Sequence, residues 1–481
     1  MGWMASPRDR VLRRVARTVA RCFFRTVEVV GPRAPEGPVL VAASHLNGFV
    51  DPVLLVTALG RLPRFLAKAT LWKVVPARPF LALARLIPVH RPQDHDGGTN
   101  TGAFAAAVDA LAAGDTVAIF PEGTTHDLPH LVELRTGVAR IALQAADAGV
   151  AGLHVLPAGI AYEDKVALRG RALVSFGDPI DVSSAVAACR REIDDDHEVV
   201  RDLMRVVDER LRAVSPDFAT TLDAMALTDG AKVVVRDGMA DPRGLPPLAA
   251  STPLARRVAA GEPERRQRAV DATAHYGMVL ARLGLRDEDV ARRVGPIALA
   301  RRVAMLALAV VVLAPFALAG LIANAIPTAL VVAAGLVPRQ PVTKGTVRVL
   351  VALVAFPVTW VLLAWFDAGR TAVTDATHGL TFPLSPVLAA LGSGRGGVLS
   401  SLLVLVTLPL LGVATLAVVA EWGEFRVAWH SWRTRLDRRG QLDELRLLRA
   451  EVVAAMTAAD AVAPAPSPTP AAAADPAVDP A

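Results

Sequence analysis

The sequence predicts an α/β domain with a largely parallel sheet, followed by a helical segment and an α-helical membrane domain. Three observations predict it. Short apolar runs alternate with helical stretches from residue 38 to 180, the pattern of strands joined by crossover helices. Residues up to 300 are ordinary in polarity, whereas 303–420 are mostly Ala, Val, Leu and Gly. Across all 481 residues, 53% are apolar and the mean hydropathy is +0.40, too apolar for a purely soluble chain of this size.

Residues 1–28 read as a basic amphipathic helix; the N-terminal stretch "SPRDRVLRRVARTVARCFFRTVEVVG" (6–31) has no continuous apolar run and so does not read as a secretory signal. Read as a helix, Leu12, Val15, Val19, Cys22 and Phe23 share one side, while Arg10, Arg13, Arg14, Arg17, Arg21 and Arg25 fill much of the rest. Such a helix can lie in a membrane interface or pack on its own domain with a solvated face; both readings stand.

Residues 29–195 form the α/β domain. Its strand-like runs are "PVLVAA", "TVAIF", "HVLPAGIAY" and "ALVSFGDPI", with helical composition at Gly102–Ala113 and Val138–Ala148. Polar groups at the carboxyl ends of such strands are the expected place for a site. Residues 196–300 are charged and helical, with loops at "GMADPRGLPPL" and "GEPE".

The transmembrane region spans 301–422. Its first segment, 303–337, is too long for one span and is broken by Asn324 and Pro327, so it reads as a spanning or re-entrant hairpin. Segments 347–365 and 398–420 each have the roughly 20 residues that cross a bilayer core. Basic residues flank them: Arg292, Arg293, Arg301, Arg302, Arg339, Lys344 and Arg348 before, and Arg426, Arg433, Arg435, Arg438 and Arg439 after. Between Asp367 and Gly397 only Arg370 and Arg395 are basic. By the positive-inside rule the N-terminal domain and C-terminus are expected to be cytoplasmic and the 367–397 loop outside. With the arginine and alanine bias of a GC-rich bacterial genome, the expected location is a bacterial cell membrane, crossed in several passes. A cytoplasmic helix at 423–459 and a disordered Ala/Pro tail at 460–481 complete the chain.

The formal charge is +6 and the isoelectric point about 9.9. The positive charge clusters beside apolar stretches, which fits anionic lipid headgroups better than nucleic acid, and no nucleic-acid partner is expected. Cys22 and Cys189 form no metal or disulfide pattern.

Four stretches carry chemistry-bearing residues at the ends of apolar runs: "SHLNGFVDP" (44–52), "LIPVHRPQD" (86–94), "FPEGTTHD" (120–127) and "VLPAGIAYEDK" (155–165). Acylation of a hydroxyl needs a base for its proton, donors for the developing oxyanion and a cationic grip on any phosphate. Histidine suits the base role because its unperturbed pKa lies near neutrality, and a carboxylate on its other nitrogen fixes the tautomer. His45 and Asp51 can do this if the turn between them folds back. Arg91 can grip a phosphate with its guanidinium fork. Gly123 permits close backbone approach, while Glu122 can bond an acceptor hydroxyl or orient its loop. The plainer reading makes each structural: a core histidine, a helix-capping glutamate, a solvated arginine. A metal site of His45, Asp51, Glu122 and His126 lacks helical ligand spacing, and no metal or cofactor is expected. No G-x-S-x-G elbow or G-x-x-x-x-G-K-[ST] loop is present.

Together, in this order, the four blocks make residues 29–185 resemble the glycerolipid acyltransferase family, which includes glycerol-3-phosphate and lysophosphatidic acid acyltransferases. "FPEGTTH" is similar to the family's third block, "IPVHR" to its second and "LPAGIAY" to its fourth. The first block usually has four residues between His and Asp; "HLNGFVD" has five, as in a branch that includes fungal glycerol-3-phosphate/dihydroxyacetone-phosphate acyltransferases. In a regular helix the extra residue would turn Asp51 by about 100°, so the pair requires a loop or bulge.

The resemblance implies an acyltransferase fold in the α/β domain, with His45 as general base and Asp51 as its partner. It places Arg91, Glu122, Gly123 and Thr124 on a phosphorylated acceptor, and Arg135 on a phosphate of the acceptor or of coenzyme A. It implies acyl transfer from acyl-CoA or acyl-carrier protein to glycerol-3-phosphate or 1-acylglycerol-3-phosphate in phospholipid synthesis, beside membrane lipids. Other lysophospholipid or glycolipid acceptors are the alternative within the class. A non-catalytic transport or scaffold protein is the rival outside it, disfavoured by the near absence of ionisable residues within the apolar segments.

Overall fold

The computed structural model describes residues 6–73, 78–90, 100–165, 169–191, 195–240, 244–291, 296–338, 341–374, 396–437 and 439–461. Arg91, the flanking Arg292, Arg293, Arg339, Arg395 and Arg438, and nearly all of the Ala/Pro tail lie outside them.

The chain opens with α1 (Pro7–Phe23), β1 (Phe24–Val30), β2 (Val39–Ala43), α2 (Val50–Leu59) and β3 (Arg64–Lys68). Then come α3 (Arg78–Leu83), β4 (Ile87–Val89), α4 (Thr101–Ala112), β5 (Thr116–Ile119), α5 (Gly137–Asp147), β6 (His154–Tyr162), β7 (Gly170–Phe176) and β8 (Ile180–Asp181). The helices α6 (Val182–Cys189), α7 (Asp196–Arg212), α8 (Thr221–Asp237), α9 (Leu248–Ala260), α10 (Pro263–Leu283) and α11 (Asp287–Ala291) follow. Last are α12 (Pro296–Ala323), α13 (Ala325–Ala334), α14 (Pro341–Thr374), α15 (Gly396–Asp437) and α16 (Arg439–Asp460).

Among the described residues eight strands form one sheet in the order β1-β7-β6-β2-β5-β3-β4, with β8 also on β6. Pairing is parallel except where β6 meets β7 and β8. Central β2 is apolar and buried at all five positions, as a strand covered on both faces must be. Leu40 and Ala42 face a core shared with Val117 of β5, Val138 and Ile141 of α5, and Leu203 and Val207 of α7. That core continues through α7, past residue 195.

The N-terminal helix is shorter than the reading that carried it to residue 28. Ser6 caps it by accepting the Asp9 N–H at 3.1 Å, and Pro7 stands at its first turn. It stops at Phe23 because Thr26, Val27, Val29 and Val30 are β-branched and pair in parallel with β7. Glu28 of β1 accepts the Leu248 and Ala249 N–H groups at 3.0 and 2.7 Å, placing a carboxylate at the amino end of α9.

The chain divides into two compact units: Met1–Val279 with Leu447–Ala481, and Leu280–Arg446. The end of α16 therefore belongs to the first. There Arg257 of α9 holds Asp460 through two hydrogen bonds of 2.6 and 3.0 Å, and Arg449 donates to Asp237 of α8. Val452, Met456 and Ala459 are buried.

In the second unit three stretches are long and apolar enough to cross a membrane: Leu299–Ala323, Lys344–Trp365 and Leu405–His430. They bear exposed Val311, Phe316, Val354, Trp365 and Val413, a lipid-like surface that associates the chain with a membrane. Gly320 lets α12 approach α15, where Thr415 donates to Ala317 O at 2.9 Å. The apolar run from 303 to 337 divides at Asn324 into α12 and the ten-residue α13. Asn324 accepts the Trp360 indole N–H of α14 at 2.9 Å.

Candidate active site

Strands β2 and β5 run side by side in parallel, with Ala42 opposite Ile119. Three residues beyond each, past the carboxyl ends, stand His45 and Glu122. Register thus brings the first and third blocks together. Parallel pairing of Ala43 with Ala158 aligns β6, and with it the fourth block, on the other side of β2.

His45 is held at three points. Its backbone N–H donates to Glu122 Oε1 at 2.6 Å, and its Nδ1 lies 2.9 Å from Asp51 Oδ2. Its ring stacks on Phe120 with centroids 4.0 Å apart. Since a carboxylate only accepts, Nδ1 carries the proton and Nε2 is left as the basic nitrogen. Nε2 has no hydrogen-bond partner among the described residues. Only 7% of His45 is exposed.

The five-residue spacing is accommodated by a turn. The chain leaves β2 at Ala43, bends through residues 46–49 and enters α2, placing Asp51 in the helix's first turn. Asn47 closes that turn: its carbonyl accepts from Val50 and Asp51 N–H at 2.8 and 3.2 Å, and its own N–H donates to Asp51 Oδ2 at 2.7 Å. The carboxylate is 0% exposed and sits at a helix amino end. Its other oxygen, Oδ1, accepts from the Tyr162 hydroxyl. Burial, the Asp51 charge and this bond push the Tyr162 phenol well above its ordinary value, so it remains a donor through the neutral range.

Glu122 is buried and its carboxylate is shared among several donors. Besides His45 N–H it accepts from Val132 N–H at 3.3 Å and from His126 Nε2. His126 Nδ1 in turn accepts from Leu128 N–H at 3.2 Å, which fixes the ring's tautomer. Ser44 ties the same region to β6, accepting the Ile160 N–H at 2.9 Å.

Gly123 has φ +67°, and a Cβ there would lie 2.6 Å from Arg135 Nε. The Arg135 side chain is draped over this glycine, exposed, with no hydrogen bond or ion pair among the described residues. Thr124 is exposed beside it. Gly123→Ala is therefore expected to cost about 1–2 kcal/mol of stability through the left-handed backbone and to dislodge Arg135. Thermal unfolding of the purified chain in detergent checks this.

The geometry thus gathers His45, Asp51, Glu122, Gly123, Thr124 and Arg135 around the carboxyl ends of β2 and β5. Tyr162, Asn47 and Phe120 were quoted within the motifs but given no role by sequence reasoning. Their contacts depend on strand register, although the lone aromatic hydroxyl closing "LPAGIAY" is a signal. Among the described residues no three His, Cys, Asp or Glu side chains converge as metal ligands do.

Residues 26–161 match the family model described as Acyltransferase. Glycerol-3-phosphate O-acyltransferase 1 of Saccharomyces cerevisiae is 26% identical over 287 residues, covering 41% of this chain and 38% of that protein. Glycerol-3-phosphate O-acyltransferase 2 of the same yeast is 33% identical over 127 residues, 26% of this chain and 17% of that one. Lyso-ornithine lipid O-acyltransferase of Brucella abortus is 30% identical over 151 residues, 30% of this chain and 53% of that protein. The chain thus spans about half or less of each of these relatives. A crystal structure of the 1-acyl-sn-glycerophosphate (LPA) acyltransferase from Thermotoga maritima aligns at 18% identity and TM-score 0.31, covering 42% of this chain and 77% of that one.

Proposed function

Taking residues 26–161 as a segment of the Acyltransferase family, we propose that the chain is a membrane-bound O-acyltransferase of phospholipid synthesis. It moves a fatty acyl group from acyl-CoA or acyl-carrier protein to a hydroxyl of glycerol-3-phosphate or 1-acylglycerol-3-phosphate. The observation that carries this reading is the His45–Asp51 pair, with Nδ1 bonded and Nε2 left basic at the carboxyl end of β2. The names of the yeast relatives favour the glycerol-3-phosphate acceptor.

In the proposed reaction the acceptor hydroxyl attacks the thioester carbonyl as His45 Nε2 takes its proton. Asp51 stabilises the imidazolium. The tetrahedral intermediate collapses to the ester and expels the thiolate, which recovers the proton from His45. Glu122 holds the base by its backbone. Gly123, Thr124 and Arg135 line the acceptor side, and Arg91 supplies a second guanidinium for phosphate. The catalytic domain faces the cytoplasm, where both acyl donors are made.

A lysolipid acceptor is the second reading, favoured by the similarity to the Brucella protein, of which a larger share is covered. Purified full-length chain with radiolabelled acyl-CoA is offered glycerol-3-phosphate, 1-acylglycerol-3-phosphate and lyso-ornithine lipid in turn. Labelled product is expected with a glycerol-phosphate acceptor. Label on lyso-ornithine lipid alone replaces the acceptor, and no product with any of them overturns the activity.

A further inference from the structure

The Asp51 carboxylate has two oxygens with unequal company. Oδ2 accepts from His45 Nδ1–H and Asn47 N–H, both supplied by its own turn. Oδ1 accepts from Tyr162, which arrives from the end of β6, 111 positions along the chain. No other donor reaches Oδ1 among the described residues. Asp51 is wholly shielded, so water does not readily replace the phenol.

Tyr162 is itself fixed. Its backbone pairs with Ala172 of β7, and its ring lies 5.9 Å from that of Phe24, at the junction of α1 and β1. The titratable side chains that meet in this network are Asp51 from α2, Glu122 and His126 from the loop after β5, and Tyr162 from β6.

We propose that Tyr162 is a positioning residue: its hydroxyl satisfies the far oxygen of Asp51 and so tempers the carboxylate's hold on the His45 imidazole while keeping the ring oriented to accept a proton. This rests on His45 being the base. A buried carboxylate with one bare oxygen recovers the lost stabilisation by holding a protonated imidazole more tightly. With Tyr162 in place that pull on the imidazole is weaker. The role is one of charge distribution through Asp51, since the phenol bonds the carboxylate and not the imidazole.

The test compares full-length wild type with Tyr162→Phe in detergent, following the His45 imidazole by NMR with histidine-selective labelling. The His45 signal is assigned by its loss in His45→Gln. The half-titration of the His45 ring is expected to move to higher pH by about one unit in Tyr162→Phe. With an active acceptor, kcat at pH 7 falls roughly tenfold while both KM values stay within about twofold. The spectroscopic reading needs no turnover, so an inactive wild type defeats the proposed activity and leaves the positioning role decided by the titration. An unmoved half-titration overturns the proposal whatever happens to the rate. Should Tyr162→Phe fail to fold, the chain is grown with 3-fluorotyrosine, a stronger donor that preserves packing. The sequence has only two tyrosines, and the other, Tyr276, belongs to α10. The half-titration then moves to lower pH; no movement again overturns the proposal.

Discussion

His45→Ala is expected to lower the rate of acyl transfer by roughly 10²- to 10⁴-fold, the usual contribution of a positioned base. The change removes the nitrogen that takes the hydroxyl proton and leaves most of the surrounding structure in place. The backbone N–H that donates to Glu122 is unaffected by the substitution. Asp51 keeps the Asn47 N–H and the Tyr162 hydroxyl. What is lost structurally is the ring's stacking on Phe120, so the melting temperature should fall only modestly. Initial rates over a range of acceptor concentrations, with thermal unfolding in parallel, read both effects. A variant that keeps near wild-type turnover removes His45 from the base role.

Glu122→Ala should be as damaging for a different reason. One carboxylate serves three donors from separate places in the chain: the backbone of His45, the ring of His126 and the backbone of Val132. Truncation strands all three in a buried setting, and each unsatisfied group costs about 1–3 kcal/mol. The folded state should lose several kcal/mol, and the base should lose its register with the loop after β5. Glu122→Gln retains the shape and one good acceptor, so it should fall between wild type and Ala in both melting temperature and kcat. Thermal unfolding ranks the three proteins. If Glu122→Ala melts like wild type and only raises the acceptor KM, the side chain works on the acceptor and not on the scaffold.

Much of the sheet was legible in the sequence because its strands are bounded apolar runs. β2, β5, β6 and β7 fall on "PVLVAA", "TVAIF", "HVLPAGIAY" and "ALVSFGDPI", and α4 and α5 lie within a residue of the helical compositions read at 102–113 and 138–148. β1 was hidden because it follows α1 without a break, and Arg25 and Thr26 extend the basic helical pattern into it. Its place beside β7 is decided by a pairing partner some 146 positions away, as between Phe24 and Gly170. The site divides in the same way. His45 and Asp51 are neighbours in sequence, and the question was only whether five intervening residues could fold back; Asn47 answers it through local backbone bonds. Tyr162 reaches Asp51 only because β6 pairs with β2 in one particular register. A one-residue slip would turn its side chain to the opposite face.

The docking of the C-terminal helix makes the first unit discontinuous along the chain. Its own last part, residues 447–460, is joined to it by Arg257–Asp460 and Arg449–Asp237 only after the whole of the second unit, Leu280–Arg446, has intervened. Folding of the first unit is therefore completed late, by a segment that also covers apolar surface with Val452, Met456 and Ala459. Until that segment arrives, the faces of α8 and α9 that it covers lack their partner.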